Sequence, residues 1–252
     1  MKLEDKVVVV TGGNSGIGFG IAKEFKIEGA KGSIFGRNGE SLEKASSELG
    51  DDFSAIKADV TSLSQLDTAF KQTMDTYGKL DVLVVNAGGG IGEGTLGSVI
   101  NTKEEDYEKM IDLNLKSVFF TVQKALPYLN DGSSIILIAS IAAQKAFEGM
   151  TVYAAAKAGV RSFARSFSLD LLHRNIRVNV LSPGTIETPV FGKMGLPEEV
   201  VAQAKQQFEE LIPVKRIGQP KDMGRVAVFL ASKDSSFLLG EEIVADGGVA
   251  NF

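Results

Sequence analysis

The sequence predicts an α/β fold: a doubly wound, parallel sheet of about seven strands with helices on both faces, built as one domain over residues 1–252. Short β-branched runs alternate along the chain with longer segments of helical period. The runs are almost wholly apolar, which suits strands buried on both faces, as in a parallel sheet. No linker, low-complexity tract or internal repeat divides the chain. With 44% apolar residues the chain can bury a substantial core.

In order, the strand-like runs are Val7–Val10, Gly32–Phe35, Phe53–Lys57, Val82–Val85, Ile135–Ala139, Ile176–Val180 and Glu242–Ala245. Helical patterns fill the gaps, beginning with Phe19–Glu28 and including Glu104–Leu129 and Thr151–Arg174. Right-handed crossovers between parallel neighbours then wind the sheet in both directions. One stretch interrupts the rhythm: residues 187–218 place a helical pattern, Glu198–Leu211, between Pro189 and Pro213. An insertion at such a connection reads as a substrate lid; an extra packing helix over the sheet edge is the alternative.

Composition narrows the function classes. The formal charge of −5 is spread along the chain, which argues against nucleic-acid arms and basic membrane patches. The absence of cysteine removes disulfides and thiolate catalysis. The apolar run after the charged N-terminus stops at Thr11-Gly12-Gly13, too short for a signal-peptide core, and no run approaches the ~20 residues of a spanning helix. The expected setting is cytoplasmic, with no membrane or nucleic-acid partner.

The first strand runs into Thr11-Gly12-Gly13-Asn14-Ser15-Gly16-Ile17-Gly18, and a helix follows. Glycines there permit positive φ and close approach of a pyrophosphate, while the free N–H groups of the helix start supply donors and partial positive charge. This strand–turn–helix context indicates a dinucleotide site on a Rossmann-type sheet; a plain tight turn is the competing reading. The second strand ends at Gly36, where a carboxylate would hold an adenosine ribose 2′-hydroxyl. Arg37 and Asn38 follow, and the planar guanidinium suits a 2′-phosphate. The expected cofactor is therefore NADP(H), with NAD(H) possible, unless Arg37 is only a solvated surface charge.

Ser140 closes the fifth strand, Tyr153 lies near the start of a helix and Lys157 follows at i+4, so Tyr153 and Lys157 share a helical face. A tyrosine hydroxyl is a poor acid-base catalyst near neutrality. An ammonium about 6 Å away would stabilise its phenolate by roughly 3 kcal/mol at an effective dielectric of about 20. A serine hydroxyl nearby can hydrogen-bond the substrate oxygen as charge builds there. Phe163, Phe167 and Leu171 read as a core or subunit-contact stripe, and the single histidine, His173, as structural.

These motifs together carry a resemblance. Thr11–Gly18 fits TGxxxGxG, Asn86-Ala87-Gly88 fits NAG after the fourth strand, Tyr153–Lys157 fits YxxxK, and Pro183-Gly184 follows the sixth strand. The sequence resembles the short-chain dehydrogenase/reductase family, in its subclass of about 250 residues, over essentially the whole chain. The resemblance implies that Tyr153 exchanges a proton with the carbonyl oxygen, Ser140 polarises it, and Lys157 lowers the tyrosine pKa and holds the nicotinamide ribose. Asn114 would anchor a water in a proton relay, and no metal takes part. Gly12, Asn14, Ser15, Gly16, Ile17 and Gly18 would cradle the phosphates. Asp59 and Val60 would meet the adenine, Asn86, Ala87 and Gly88 would pass under the cofactor, and Pro183, Gly184, Ile186 and Thr188 would frame the carboxamide.

Two departures from the family pattern stand out. Val85 replaces a common asparagine, and Ser15 stands where many NADP-preferring members carry a basic residue. Around the reaction centre Ala142, Phe147, Met150, Phe191 and Met194 suggest a neutral, apolar ketone, aldehyde or secondary alcohol as the small-molecule substrate. The alternatives are an NAD-dependent secondary-alcohol, polyol or steroid dehydrogenase and, from another class, a non-catalytic NADP-sensing protein on the same fold. The family resemblance also implies a homotetramer.

Overall fold

The computed structural model describes residues 1–91, 96–188 and 198–252. Its elements follow the predicted alternation: β1 (Val7–Thr11), α1 (Gly16–Ile27), β2 (Lys31–Gly36), α2 (Gly39–Leu49), β3 (Phe53–Lys57), α3 (Leu63–Tyr77), β4 (Leu80–Val85), α4 (Glu104–Ile111), α5 (Ser117–Ala125), β5 (Leu129–Ile138), α6 (Thr151–Asp170), β6 (Arg177–Pro183), α7 (Glu198–Leu211), α8 (Pro220–Ala231) and β7 (Glu242–Ala245). The seven strands form one parallel sheet in the order β3-β2-β1-β4-β5-β6-β7. Winding starts at β1 and runs outward to β3, then resumes from β4 in the opposite direction. The order reverses between β1 and β4, and at such a point the loops leaving the strand C-termini diverge and open a crevice.

Alternation of side chains along each strand divides the core in two. Val7, Val9, Leu83, Val85, Ile135, Leu137, Val178 and Val180 face a layer made by α3, α5 and α6. Their neighbours Val8, Val10, Val82, Val84, Ile136, Ile138 and Leu181 face α1, α2 and α8. Every residue of β1 is buried, as a strand covered on both faces requires. Contact between α1 and α8 depends on two glycines: a Cβ on Gly20 would lie 2.4 Å from Pro220 Cβ, and one on Gly224 would lie 2.5 Å from Glu24 Cγ.

Two helices depart from the sequence expectation. Glu104–Leu129 is not one regular helix: a π-helical turn over Asp112–Lys116 separates α4 from α5, and Leu129 already pairs with Leu80 in the sheet. The pattern Thr151–Arg174 ends as α6 at Asp170, with a short 3-10 turn, Leu172–Arg174, after it. His173 lies on that turn, where its Nδ1 is 3.0 Å from the Asp170 carbonyl. Since α6 runs antiparallel to the strands, His173 is at the end of the sheet opposite the crevice.

The excursion after β6 leaves and rejoins the sheet at one place. Ile186 and Gly218 form a parallel bridge, closed by Glu187 N–H to Gly218 O at 2.8 Å and Gly218 N–H to Thr185 O at 3.0 Å. Between these stems α7 exposes Val200 and Leu211. Among the described residues no helix is long and apolar enough to cross a membrane.

Candidate active site

The crevice at the β1/β4 divergence is a cleft of about 990 Å³. One wall is the turn from β1 into α1, which contributes Gly12, Asn14, Ser15, Gly16 and Ile17. Gly12 has φ +64°, and a Cβ there would lie 2.8 Å from Asn86 Nδ2 and 3.1 Å from Ala87 Cα. Gly18 does not line the cleft: a Cβ there would lie 2.3 Å from Gly12 O, so this glycine lets the turn fold back on its own helix. Backbone donors thus lie open at the N-terminus of α1, whose Ser15 N-cap makes no side-chain cap bond.

Thr11 and Asn86 brace this turn against the loop after β4. Thr11 Oγ1 accepts from Asn86 N–H at 3.0 Å and Ala87 N–H at 3.1 Å. The Asn86 amide donates to Thr11 O at 3.0 Å and Gly12 O at 3.2 Å. The Asn86 side chain therefore fixes the two walls relative to each other, a job for which the sequence motif alone did not single out Thr11. Val85 is buried among the α3, α5 and α6 layer and packs as an ordinary core residue.

At the β2 end of the cleft, Gly36 leaves room for Asn14: a Cβ on Gly36 would lie 2.4 Å from Asn14 Oδ1. Asn14 Nδ2 donates to Ser41 Oγ at 2.7 Å, and Asn38 Oδ1 accepts from Ser41 N–H as the cap of α2. Ser41 and Lys44, both cleft-lining, are residues that sequence reasoning missed; their i+3 and i+6 spacing from Asn38 on the new helix was the available signal. Lys44 has no carboxylate partner within 4.0 Å among the described residues. Arg37 lines the cleft with a 66% exposed side chain, and its Nη1 is 3.9 Å from Asp59 Oδ2, a loose pair.

Asp59 itself lies outside the cleft wall, which passes through Ala58 and Val60 instead. Its Oδ1 accepts from Thr61 N–H and Thr61 Oγ1 at 2.9 and 2.7 Å, so the carboxylate turns toward its own loop. Ile186 is also absent from the wall, buried at the bridge to Gly218, whereas Pro183, Gly184 and Thr188 line it.

Ser140, Tyr153 and Lys157 meet at the other end of the cleft, beside Asn86, Ala87 and Gly88. Helix α6 places Tyr153 and Lys157, and its first turn is held by loop carbonyls: Val152 N–H bonds Gly97 O at 3.0 Å and Tyr153 N–H bonds Leu96 O at 3.1 Å. Ser140 lies near enough to the Tyr153 hydroxyl to favour its ionised form. Lys157 is buried, donates to Ile138 O at 3.0 Å and has its ammonium 5.6 Å from the centre of the Tyr153 ring. A Cβ on Gly88 would lie 2.9 Å from Asn114 Oδ1 and 3.2 Å from Lys157 Nζ, so a glycine is needed there too.

The electrostatic balance differs from the sequence expectation. Burial raises the Tyr153 pKa above the ordinary tyrosine value, and Ser140 offsets this only in part. Burial also lowers Lys157 to about 8. The net direction at Tyr153 is therefore upward, set by burial, where the sequence predicts a lowered value.

Asn114 is fully buried on the π-helical turn. Its amide donates to Gly89 O at 2.9 Å and Met110 O at 3.1 Å, and its Oδ1 accepts from Gly89 N–H at 2.8 Å. It clamps the loop after β4 rather than facing the cleft. Ala142, Phe147 and Met150 lie between Ser140 and α6 but do not line the cleft, and Phe191 and Met194 lie outside the described residues.

Comparison with known proteins places the chain among oxidoreductases. The family described as enoyl-(acyl carrier protein) reductase matches residues 12–250. An oxidoreductase of Sarocladium schorii, asL5, is 41% identical over 251 residues, covering 99% of this chain and 97% of the relative. A 3-oxoacyl-acyl-carrier-protein reductase of Thermotoga maritima is 38% identical over 254 residues, covering 99% of both chains. The structure of a Caenorhabditis elegans short-chain dehydrogenase/reductase of unknown function, solved with cofactor, superposes with a TM-score of 0.91 at 33% identity, covering 99% of this chain and 97% of that one. The chain belongs to the short-chain dehydrogenase/reductase family, whose members use nicotinamide cofactors.

Proposed function

We propose that the protein is an NADP(H)-dependent carbonyl reductase acting on a neutral, apolar ketone or aldehyde. The observation that carries this reading is the meeting of Ser140, Tyr153 and Lys157 at one end of a cleft whose other end is walled by the glycine turn and Arg37. The glycine contacts fit a dinucleotide: side chains at Gly12 and Gly88 would collide with the protein's own walls, and the open donors of α1 suit a pyrophosphate. Gly12, Asn14, Ser15, Gly16 and Ile17 would hold the phosphates, Val60 the adenine, and Pro183, Gly184 and Thr188 the nicotinamide end. The cofactor, when bound, supplies or takes up the hydride.

The chain's own residues handle the proton. Ser140 hydrogen-bonds the substrate oxygen and supports charge developing there. Tyr153, whose pKa burial raises, keeps its proton near neutral pH, so it acts as the acid in carbonyl reduction. An alkoxide is a stronger base than a phenolate, so transfer from Tyr153 to the product oxygen is downhill. Lys157 holds the nicotinamide ribose, and Asn114 keeps the loop above it in place. The excursion over 187–218, tethered at Ile186 and Gly218, serves as a lid over the substrate.

Arg37, helped by the absence of a side chain at Gly36, selects the 2′-phosphate. Its pairing with Asp59 is loose enough to be exchanged for a phosphate. A fluorescence titration with NADPH and NADH tests this without any choice of substrate. Arg37→Ala should weaken NADPH roughly tenfold or more and leave NADH nearly unchanged. Equal weakening of both would return Arg37 to the role of a surface charge.

A second reading is favoured by the Thermotoga maritima relative, whose name gives a 3-oxoacyl chain on acyl carrier protein as its substrate. Turnover of a free aryl ketone against that of a 3-oxoacyl thioester separates the two.

A further inference from the structure

We propose that Glu242 is a positioning residue for the reaction: with Arg161 it locks the turn that carries Ser140 onto the helix that carries Tyr153 and Lys157. This inference rests on the proposed reductase reading for its link to turnover. Ser140 reaches Tyr153 from a different element, so the hydroxyl pair depends on how the segment after β5 sits against α6. That segment is a short 3-10 turn, Ile141–Ala143, whose internal bonds, from Ala142 N–H to Ser140 Oγ, Ala143 N–H to Ser140 O and Gln144 N–H to Ile141 O, close it on itself and do not fix it against α6.

Glu242, the first residue of β7, supplies the hold. Its side chain is 13% exposed, and it meets side chains from three other elements, two as hydrogen-bond donors and one as an ion pair. Gln144 Nε2 donates to Oε2 at 2.8 Å from the end of the Ser140 turn. Ser182 Oγ donates to Oε1 at 2.5 Å from β6, directly before Pro183-Gly184 of the cleft. Arg161 Nε lies 2.5 Å from Oε2, as an ion pair whose N–H is not aligned for a hydrogen bond. Arg161 closes the circle by donating from Nη1 to Ala143 O at 3.3 Å.

The geometry gives this cluster a purpose. Arg161 is one helical turn beyond Lys157, which is one turn beyond Tyr153, so all three share the face of α6 that meets β5 and its turn. One carboxylate on the edge strand thus ties together the Ser140 turn, α6 and the stem of the nicotinamide loop. None of Glu242, Arg161, Gln144 or Ser182 lines the cleft. Removing the carboxylate leaves the partly buried guanidinium without a counter-charge and releases the exposed Gln144 amide to solvent. The turn then loses its link to β7 and is held to α6 by an Arg161–Ala143 bond whose guanidinium is no longer anchored.

The test compares Glu242→Ala, Arg161→Ala, their double variant, Gln144→Ala and Arg161→Lys with the wild type. Three quantities are read: kcat with a ketone substrate, Kd for NADPH by fluorescence, and hydrogen exchange of the peptide over residues 139–147. In Glu242→Ala the peptide should exchange faster and kcat should fall on the order of tenfold to a hundredfold, with Kd within about twofold. The double variant should be no worse than the worse single one, and Arg161→Lys should restore part of kcat. Gln144→Ala cuts only the arm to the turn, and it reports on the inference if removing a charge prevents folding. Unchanged exchange, unchanged kcat or a parallel loss of NADPH binding in the folded variants would overturn the positioning role. If the wild type reduces no ketone, the reductase reading fails, and exchange alone decides whether Glu242 orders the turn.

Discussion

Tyr153 and Lys157 illustrate how burial and motif act on the same atoms. The motif places the two side chains one turn apart, and burial then pushes each toward its neutral form. Tyr153→Phe removes the proton donor without changing the shape of the cleft. It should retain NADPH binding while kcat falls by about three orders of magnitude or more, as single-turnover rates would show. Lys157 makes a second, thermodynamic prediction. Its folded pKa, about 8, lies below the ordinary lysine value of 10.5, so the unfolded chain binds more protons between these values and this group's contribution to stability rises with pH there. Lys157→Met abolishes that rise. Relative to the variant, the wild type should gain about 3 kcal/mol between pH 7 and pH 11 in paired urea unfolding curves. A constant difference would mean that the ammonium is not desolvated. These two residues were legible from spacing alone, whereas the direction of the tyrosine shift was not, because it depends on what surrounds the hydroxyl.

Elements show a similar division. Strands were legible because a run such as Val7–Val10 has nowhere to go but between two helical layers. The π-helical turn at Asp112–Lys116 was not, since one inserted residue hardly disturbs an apolar pattern that is itself irregular. That turn carries Asn114, and with it the clamp on Gly89. Another element-scale device is Arg177 at the start of β6. Its guanidinium donates to the carbonyls of Leu230, Ser232 and Ser235 and to Ser235 Oγ, closing the C-terminal end of α8 onto the sheet. Burial lowers its pKa, yet the residue remains charged. Arg177→Met would remove four hydrogen bonds from a charged donor, although Leu230 O, Ser232 O and Ser235 O keep other donors, and should cost about 2 kcal/mol in chemical denaturation. A loss below about 0.5 kcal/mol would show that water replaces the guanidinium freely.

At the scale of the whole molecule, an aromatic face on α5 and α6 stands apart from the cleft. Phe119, 37% exposed, has its ring 5.8 and 5.7 Å from those of Phe163 and Phe167, which stack on each other at 5.1 Å. The homotetramer implied by the family resemblance would use this face. If so, Phe119→Asp should reduce the sedimentation coefficient toward that of the 26.8 kDa protomer, and an unchanged value would place self-association elsewhere.

The sequence by itself determined what is local or periodic: the alternating apolar runs, the glycine turn after β1, and the tyrosine and lysine on one helical face. Only the tertiary structure decided which distant residues share a space. It set Asn14 where a side chain on Gly36 would stand, turned Asp59 toward Thr61, and gathered Gln144, Arg161 and Ser182 around Glu242. The physical reason is that hydrogen bonds, ion pairs and desolvation act over a few ångströms through space, and the chain brings those groups together only when the sheet closes.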